Sequence, residues 1–235
     1  MPHLFTNRPR QHNLLSNDLA PKKHFNWESA NAILYLIGGL TFIAGSVFFL
    51  PKYEAFADWG AWIFFWGSLL YLIVTVHDLI ESAQYLRLRQ KLELWNWLEF
   101  LAANVYVGGT ILFIIGSIFF LSKFGFIITG GWCFIIGSLL FLLGACINVM
   151  QIIQAGSLVT LQLLNATAIA FILGSALFLV ASVPYLWKIF NPQDRTELFT
   201  YLAWLYIVGS VLFFLGGVFN YYRAYRAMRH YADKL

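Results

Sequence analysis

Few side chains in this chain are suited to chemistry, and those few stand beside long apolar runs rather than within them. His77, Asp78 and Glu81 fall within about one turn of a helix, so helical backbone through them would bring all three close together. Histidine and carboxylate both ligate metals. One histidine with two carboxylates falls short of the donor set of a specific site, however, so neither a metal nor another cofactor is expected. Asp78 has counterparts in Asn148 and Asn220, each of the three standing eleven residues beyond the glycine of a recurring Gly-Ser pair. Asp78, Asn148, Asn220, His77 and Glu81 therefore make a candidate polar ring at the cytoplasmic ends of the spans. Such a ring could form a vestibule, or hold a cation or a polar headgroup. Glu28, Asn31, Glu99, Asn104, Gln151 and Asn165 gather at the same ends. The plainer reading is that spans end in polar residues because they meet water and headgroups there, and it carries the greater weight.

Catalytic residues are not expected. There is no Gly-x-Ser-x-Gly elbow, no glycine-rich phosphate loop with lysine, no His-Glu-x-x-His and no Cys-x-x-Cys. Cys133 and Cys146 lie thirteen residues apart in one span. At a rise of about 1.5 Å per residue that is roughly 20 Å, beyond disulfide reach.

The elements that must position these residues follow from composition. A chain that is 60% hydrophobic and 11% charged has too few polar side chains to cover a water-soluble globule, so its solvent is lipid. The net charge of +4 rests on Lys and Arg clustered beside apolar segments, where they act as topology signals, and nucleic acid is not an expected partner. Spans are expected at Ala30–Leu50, Trp59–Val76 and Phe100–Leu121. No Asp, Glu, Lys or Arg occurs from Phe124 to Trp187, a stretch that holds a fourth span ending near Val149 and a fifth from about Leu161 to Val183. Leu198–Tyr222 is the sixth.

The organisation expected is a basic cytoplasmic N-terminal tail over 1–29, which is retained rather than cleaved as a signal, and a first transmembrane hairpin over 30–81. An amphipathic linker over 82–98 lies at the interface, with Tyr85, Leu88, Leu92 and Trp95 at helical spacing. A second hairpin follows over 99–151, a third over 152–222 and a basic cytoplasmic tail over 223–235. Eleven of the fifteen Lys and Arg lie in the two tails and the linker, which sets both termini in the cytoplasm by the positive-inside rule. Trp59, Trp62, Trp132, Trp187 and Trp204 fall near the outer ends of spans, as an aromatic belt requires.

An internal repeat is the strongest pattern. Each span carries a Gly-Ser pair near its middle: Gly45-Ser46, Gly67-Ser68, Gly116-Ser117, Gly137-Ser138, Gly174-Ser175 and Gly209-Ser210. The even spans align without gaps as WIFFWGSLLYLI, WCFIIGSLLFLL and WLYIVGSVLFFL. In four spans a second glycine stands seven residues from the first, as in Gly38 with Gly45, Gly109 with Gly116, Gly137 with Gly144 and Gly209 with Gly216. Seven residues are nearly two turns, so these pairs form a smooth stripe where backbones can approach and serine hydroxyls can bond across. The fold expected is an all-α integral membrane protein of six transmembrane helices, built as three tandem parallel two-helix repeats in a pseudo-threefold bundle.

The segments GGLTFIAGSVFFLPKYE with WGAWIFFWGSLLYLI, and GGTILFIIGSIFFLSKF with GGWCFIIGSLLFLLGA, resemble the YrhK-like domain. The resemblance covers roughly 31–80 and 104–151, with a weaker third copy over 165–220. It implies a small, mostly bacterial membrane protein of paired helices and brings no catalytic residue to carry over, while the all-helical design fits a bacterial plasma membrane or an organellar inner membrane. The function expected is that of a structural, accessory or bilayer-interacting component packed through its Gly-Ser seams. Missing charges in the spans, the 23 phenylalanines and the basic tails favour it. Its partners would be the lipid bilayer and either another membrane protein or further copies of the chain. The alternative is a transporter or channel for a small, largely uncharged solute. Repeats favour that reading, while the lack of polar groups at mid-span and of proline within the spans counts against it.

Overall fold

Apolar backbone in lipid must satisfy its own hydrogen bonds, so each run becomes a helix. The computed structural model describes residues 21–88, 94–150, 152 and 157–232, and within these it is helical throughout, apart from turns. The helices are α1 (Pro21–Val47), α2 (Ala57–Leu88), α3 (Leu94–Phe119), α4 (Ile127–Met150), α5 (Leu158–Ser182) and α6 (Pro192–Ala232). Six helical segments are long and apolar enough to cross a membrane.

Several helices outrun their expected spans. α2 continues through 82–88 and α3 begins at Leu94, so most of the expected surface linker belongs to the two spanning helices, and 89–93 lie outside the described residues. Extending an existing helix adds a hydrogen bond per residue, whereas a separate surface helix would need a fresh nucleus. For the same reason α6 runs on into the segment read as a basic tail. Residues 1–20 of the N-terminal tail and Gln151 lie outside the described residues.

Each helix packs on its neighbours in the chain, and α6 closes on α1, so the six form a ring. Within each pair the contacts are antiparallel, and most follow one pattern: a glycine on one helix receives an aromatic ring from the other. A β-carbon on Gly109 would meet Phe141 at 2.8 Å, on Gly116 would meet Phe134 at 2.7 Å, on Gly137 would meet Phe113 at 2.7 Å and on Gly144 would meet Tyr106 at 2.6 Å. In the first pair Gly38 receives Tyr71 and Gly45 receives Phe64, both at 2.5 Å, and Gly67 receives Thr41. In the last pair Gly209 receives Phe178 at 2.7 Å and Gly216 receives Phe171 at 2.8 Å.

The third odd span departs from the expected register by two turns. Gly174 lies against the Gly209 carbonyl at 3.1 Å, the place that Gly109 takes against Gly137, and not the place of Gly45 or Gly116. That place falls to Ala181, which is fully buried, and Ser182 returns its hydroxyl to the Phe178 carbonyl as Ser117 does to Phe113 and Ser46 to Phe42.

The rings that dock on these glycines also fill the axis. Phe42, Phe113 and Phe178, from three helices that are not neighbours in the ring, meet with centroids 5.8–6.4 Å apart. Phe64, Phe134 and Tyr206 form a second triangle at 5.9–6.3 Å. Eight phenylalanines are thus core residues rather than lipid-facing ones, namely Phe42, Phe64, Phe113, Phe134, Phe141, Phe171, Phe178 and Phe213. The outward face carries Trp59, Trp62, Trp132, Trp187 and Trp204, all exposed. At the end away from the termini, Asp58 accepts from the Ser122 backbone at 2.7 Å and from its hydroxyl at 2.5 Å, tying the start of α2 to the α3–α4 turn, which closes on Gly125 at φ 64°.

Gly137→Val would press a branched side chain into Phe113. We expect it to lower stability by about 1–3 kcal/mol, the usual cost of overpacking, seen as a lower thermal midpoint in detergent. Gly108→Ala, whose β-carbon would meet only Leu140 at 3.4 Å, should leave the midpoint unchanged. Equal midpoints for the two variants would sink the docking account.

Candidate functional site

On the even helices the inner stripe advances in steps of seven residues: Phe64, Tyr71 and Asp78 on α2, Phe134, Phe141 and Asn148 on α4, Tyr206, Phe213 and Asn220 on α6. A seven-residue step keeps one face turned inward. The residues eleven beyond each even-span glycine are therefore the third tier of the stripe whose first tier plugs the axis. This explains their burial. Asp78 is 2% exposed, Asn148 5% and Asn220 3%.

His77 and Glu81 are buried as well, and so is Asn31 on α1. Asn104 and Asn165 face outward, Asn104 returning its amide to the Phe100 carbonyl at 2.8 Å. The Glu28 side chain lies outside the described residues. Among the described residues no group of three or more His, Cys, Asp and Glu side chains could hold a metal ion.

The tier is joined to the aromatic core by tyrosines. Asn148 donates its amide to the Tyr106 hydroxyl at 2.8 Å, and Asp78 lies within electrostatic reach of that hydroxyl. Tyr35 stacks on Tyr71 with centroids 4.4 Å apart and donates to the Phe213 carbonyl at 3.4 Å. α1, α2, α3, α4 and α6 thus all contribute polar groups near one end of the bundle. α5 places Leu164 and Phe171 there, with Thr167 buried between them and its hydroxyl donated to the Leu163 carbonyl of its own helix at 2.8 Å.

Arg223, Asn96, Ser82 and Thr167, all buried at this end, escaped the reading of the sequence. Arg223 is only 7% exposed, and its guanidinium donates to the Asn220 carbonyl oxygen at 3.1 and 3.3 Å. Asn96, at the start of α3, is buried at 9% exposure. A signal for Arg223 existed: it stands fourteen residues beyond Gly209, as Glu81 stands beyond Gly67. No spacing marks Asn96.

The Gly-Ser pairs divide into two kinds of contact. Their glycines serve the interface within a helix pair. The next residue turns by about 100° toward the neighbouring pair. One such serine contact bridges two pairs directly, Ser46 to Ser210 at 3.2 Å. Ser117 bonds its own helix, while the hydroxyls of Ser68, Ser138 and Ser175 are buried without a partner.

Tyr106→Phe would strand the Asn148 amide inside the bundle, at a cost of about 1–3 kcal/mol for an unsatisfied buried donor. Combined with Asn148→Leu, the loss should be smaller than the sum of the two single losses, because the second change removes the group that the first left unpaired. Denaturant unfolding of the four proteins measures this, and additive losses would show that the two side chains do not act together.

The family model for the YrhK-like protein matches this chain twice, over residues 26–83 and 96–153. No curated protein and no solved structure matches it. The two matches cover the first two helix pairs with most of the polar tier, and by them the chain belongs to the YrhK-like family.

Proposed function

We propose that this protein is a non-catalytic structural or accessory component of a bacterial plasma membrane, working through its outer faces and its polar end. Three tandem two-helix units surround a pseudo-threefold axis, and both termini lie in the cytoplasm. The observation that carries this reading is the filled axis: two triangles of rings, one residue from each helix, all 2% exposed or less. A conduit needs polar lining along its length, and none of these six side chains offers more than a phenol. The threefold scheme draws support from like glycine-to-ring contacts in all three pairs. The orientation draws support from the eleven Lys and Arg of the tails and linker.

With the interior full, recognition falls to the surface. The lipid bilayer covers the apolar belt, and a membrane-protein partner or further copies of the chain would use the same faces. A second reading, a carrier for a small and largely uncharged solute, draws on the buried polar tier, which would form the mouth of its path. The ring triangles weigh against it.

Native mass spectrometry after purification in mild detergent decides between them. A stoichiometric partner subunit, or a defined oligomer with retained lipid, is the expected result. A single chain that retains a small solute, and moves that solute across proteoliposomes, would overturn the proposal and establish the carrier.

A further inference from the structure

Arg223 is the one cationic side chain buried among the described residues, and Asp78 and Glu81 are the buried carboxylates. A guanidinium stays charged at any pH a protein meets, so inside a bundle it must be compensated by an anion. Asn220 accepts from its Nε and one Nη, which aims the fork, and an amide oxygen, carrying no net charge, does not itself supply that anion.

Register brings the opposite charges to one level. Gly38 faces Tyr71 and Gly45 faces Phe64, so two turns further along this antiparallel pair Asn31 of α1 falls level with Asp78 of α2. On its other side α1 meets α6 through Ser46 with Ser210, Gly39 with Phe214, and Tyr35 with Gly217. Carried on by two turns, the same register sets Asn31 level with Arg223. Asn31 is buried at 4% exposure, between a carboxylate on one flank and a guanidinium on the other. Along the inner stripe, Glu81 and Arg223 stand at the same distance beyond their glycines.

We propose that Arg223 on α6 pairs with the carboxylates of Asp78 and Glu81 on α2, with Asn31 between them, as a buried ionic joint that holds the last helix pair to the first across α1. The joint closes the ring where the chain cannot. The other junctions between pairs are spanned by a short connection, after α2 and after α4, whereas α6 and α1 are the two ends of the bundle. His77, Tyr106, Asn148 and the half-buried Glu99 line the same end and complete its polar surroundings.

A charge-reversal cycle on the full chain tests the joint. Glu81→Arg and Arg223→Glu should each lower the thermal midpoint, and the two together should recover more than half of the larger single loss. Recovery supports the pairing, and a double variant no better than the worse single one overturns it. Should the reversals fail to fold, thiol cross-linking in native membranes decides, in a background with Cys133→Ser and Cys146→Ser. Glu81→Cys with Arg223→Cys should be bridged by a short bifunctional reagent, as should the control Ser46→Cys with Ser210→Cys, whose hydroxyls lie 3.2 Å apart. Bridging of the control alone would overturn the proposal.

Discussion

Lipid offers no hydrophobic force to press one helix on another, so the whole bundle depends on contacts tighter than those a helix makes with acyl chains. Here that contact is a ring seated on a glycine. The absent side chain lets an aromatic face lie almost on the backbone, and the dispersion gained scales with the number of atoms brought to contact distance. The second pair carries four such contacts in alternation, two rings from each helix, so neither helix can slide or rotate without unseating several at once. Where the seat is not a glycine, as at Ala181, a small residue still keeps the approach close.

A ring that docks on a neighbour's glycine must leave the inner stripe of its own helix, and this single requirement builds the rest. Stripes with a seven-residue step point six columns of rings inward. Their ends meet across the axis in the two triangles, and the column continues into polar residues toward the end where the chain begins and finishes. Asp78, Asn148 and Asn220 are therefore buried for the same reason that Phe64, Phe134 and Tyr206 are. A polar side chain there is shielded from lipid and must find partners within the bundle, which the Asn148–Tyr106 and Asn220–Arg223 contacts supply.

Much of this was legible before any coordinates. Six spans, their order and the glycine stripe follow from residues 30–222, because hydropathy and small-residue spacing are local signals. The destination of the rings was not legible. In a membrane protein the inner and outer faces are both apolar, so no periodicity separates Phe64, which is buried, from Trp66, which faces out. The register of α5 misled for a related reason: Gly174-Ser175 repeats the motif, yet packing follows the seat opposite Phe213 and the run Phe171, Phe178, Tyr185 rather than the dipeptide. Arg223 was hidden by its setting among basic residues, where positive charge ordinarily faces headgroups.

Hydrogen bonds between helices occur within pairs, as Asn148 with Tyr106 and Ser182 with Tyr206, and also where the two ends of the bundle meet. Within a pair a turn already holds the helices together, and glycine seats serve both the pairs and, as with Gly217 under Tyr35, the closing junction. At the junction of α6 with α1 no connection exists, and there Ser46 meets Ser210 while Tyr35 reaches the Phe213 carbonyl. A junction held by packing alone would open whenever the two ends of the bundle drifted apart, since nothing limits their separation. Directional polar contacts inside a low-dielectric bundle resist that drift better than apolar ones, because parting them exposes groups that lipid cannot satisfy. The polar contacts at this junction thus help to close a ring from an open chain.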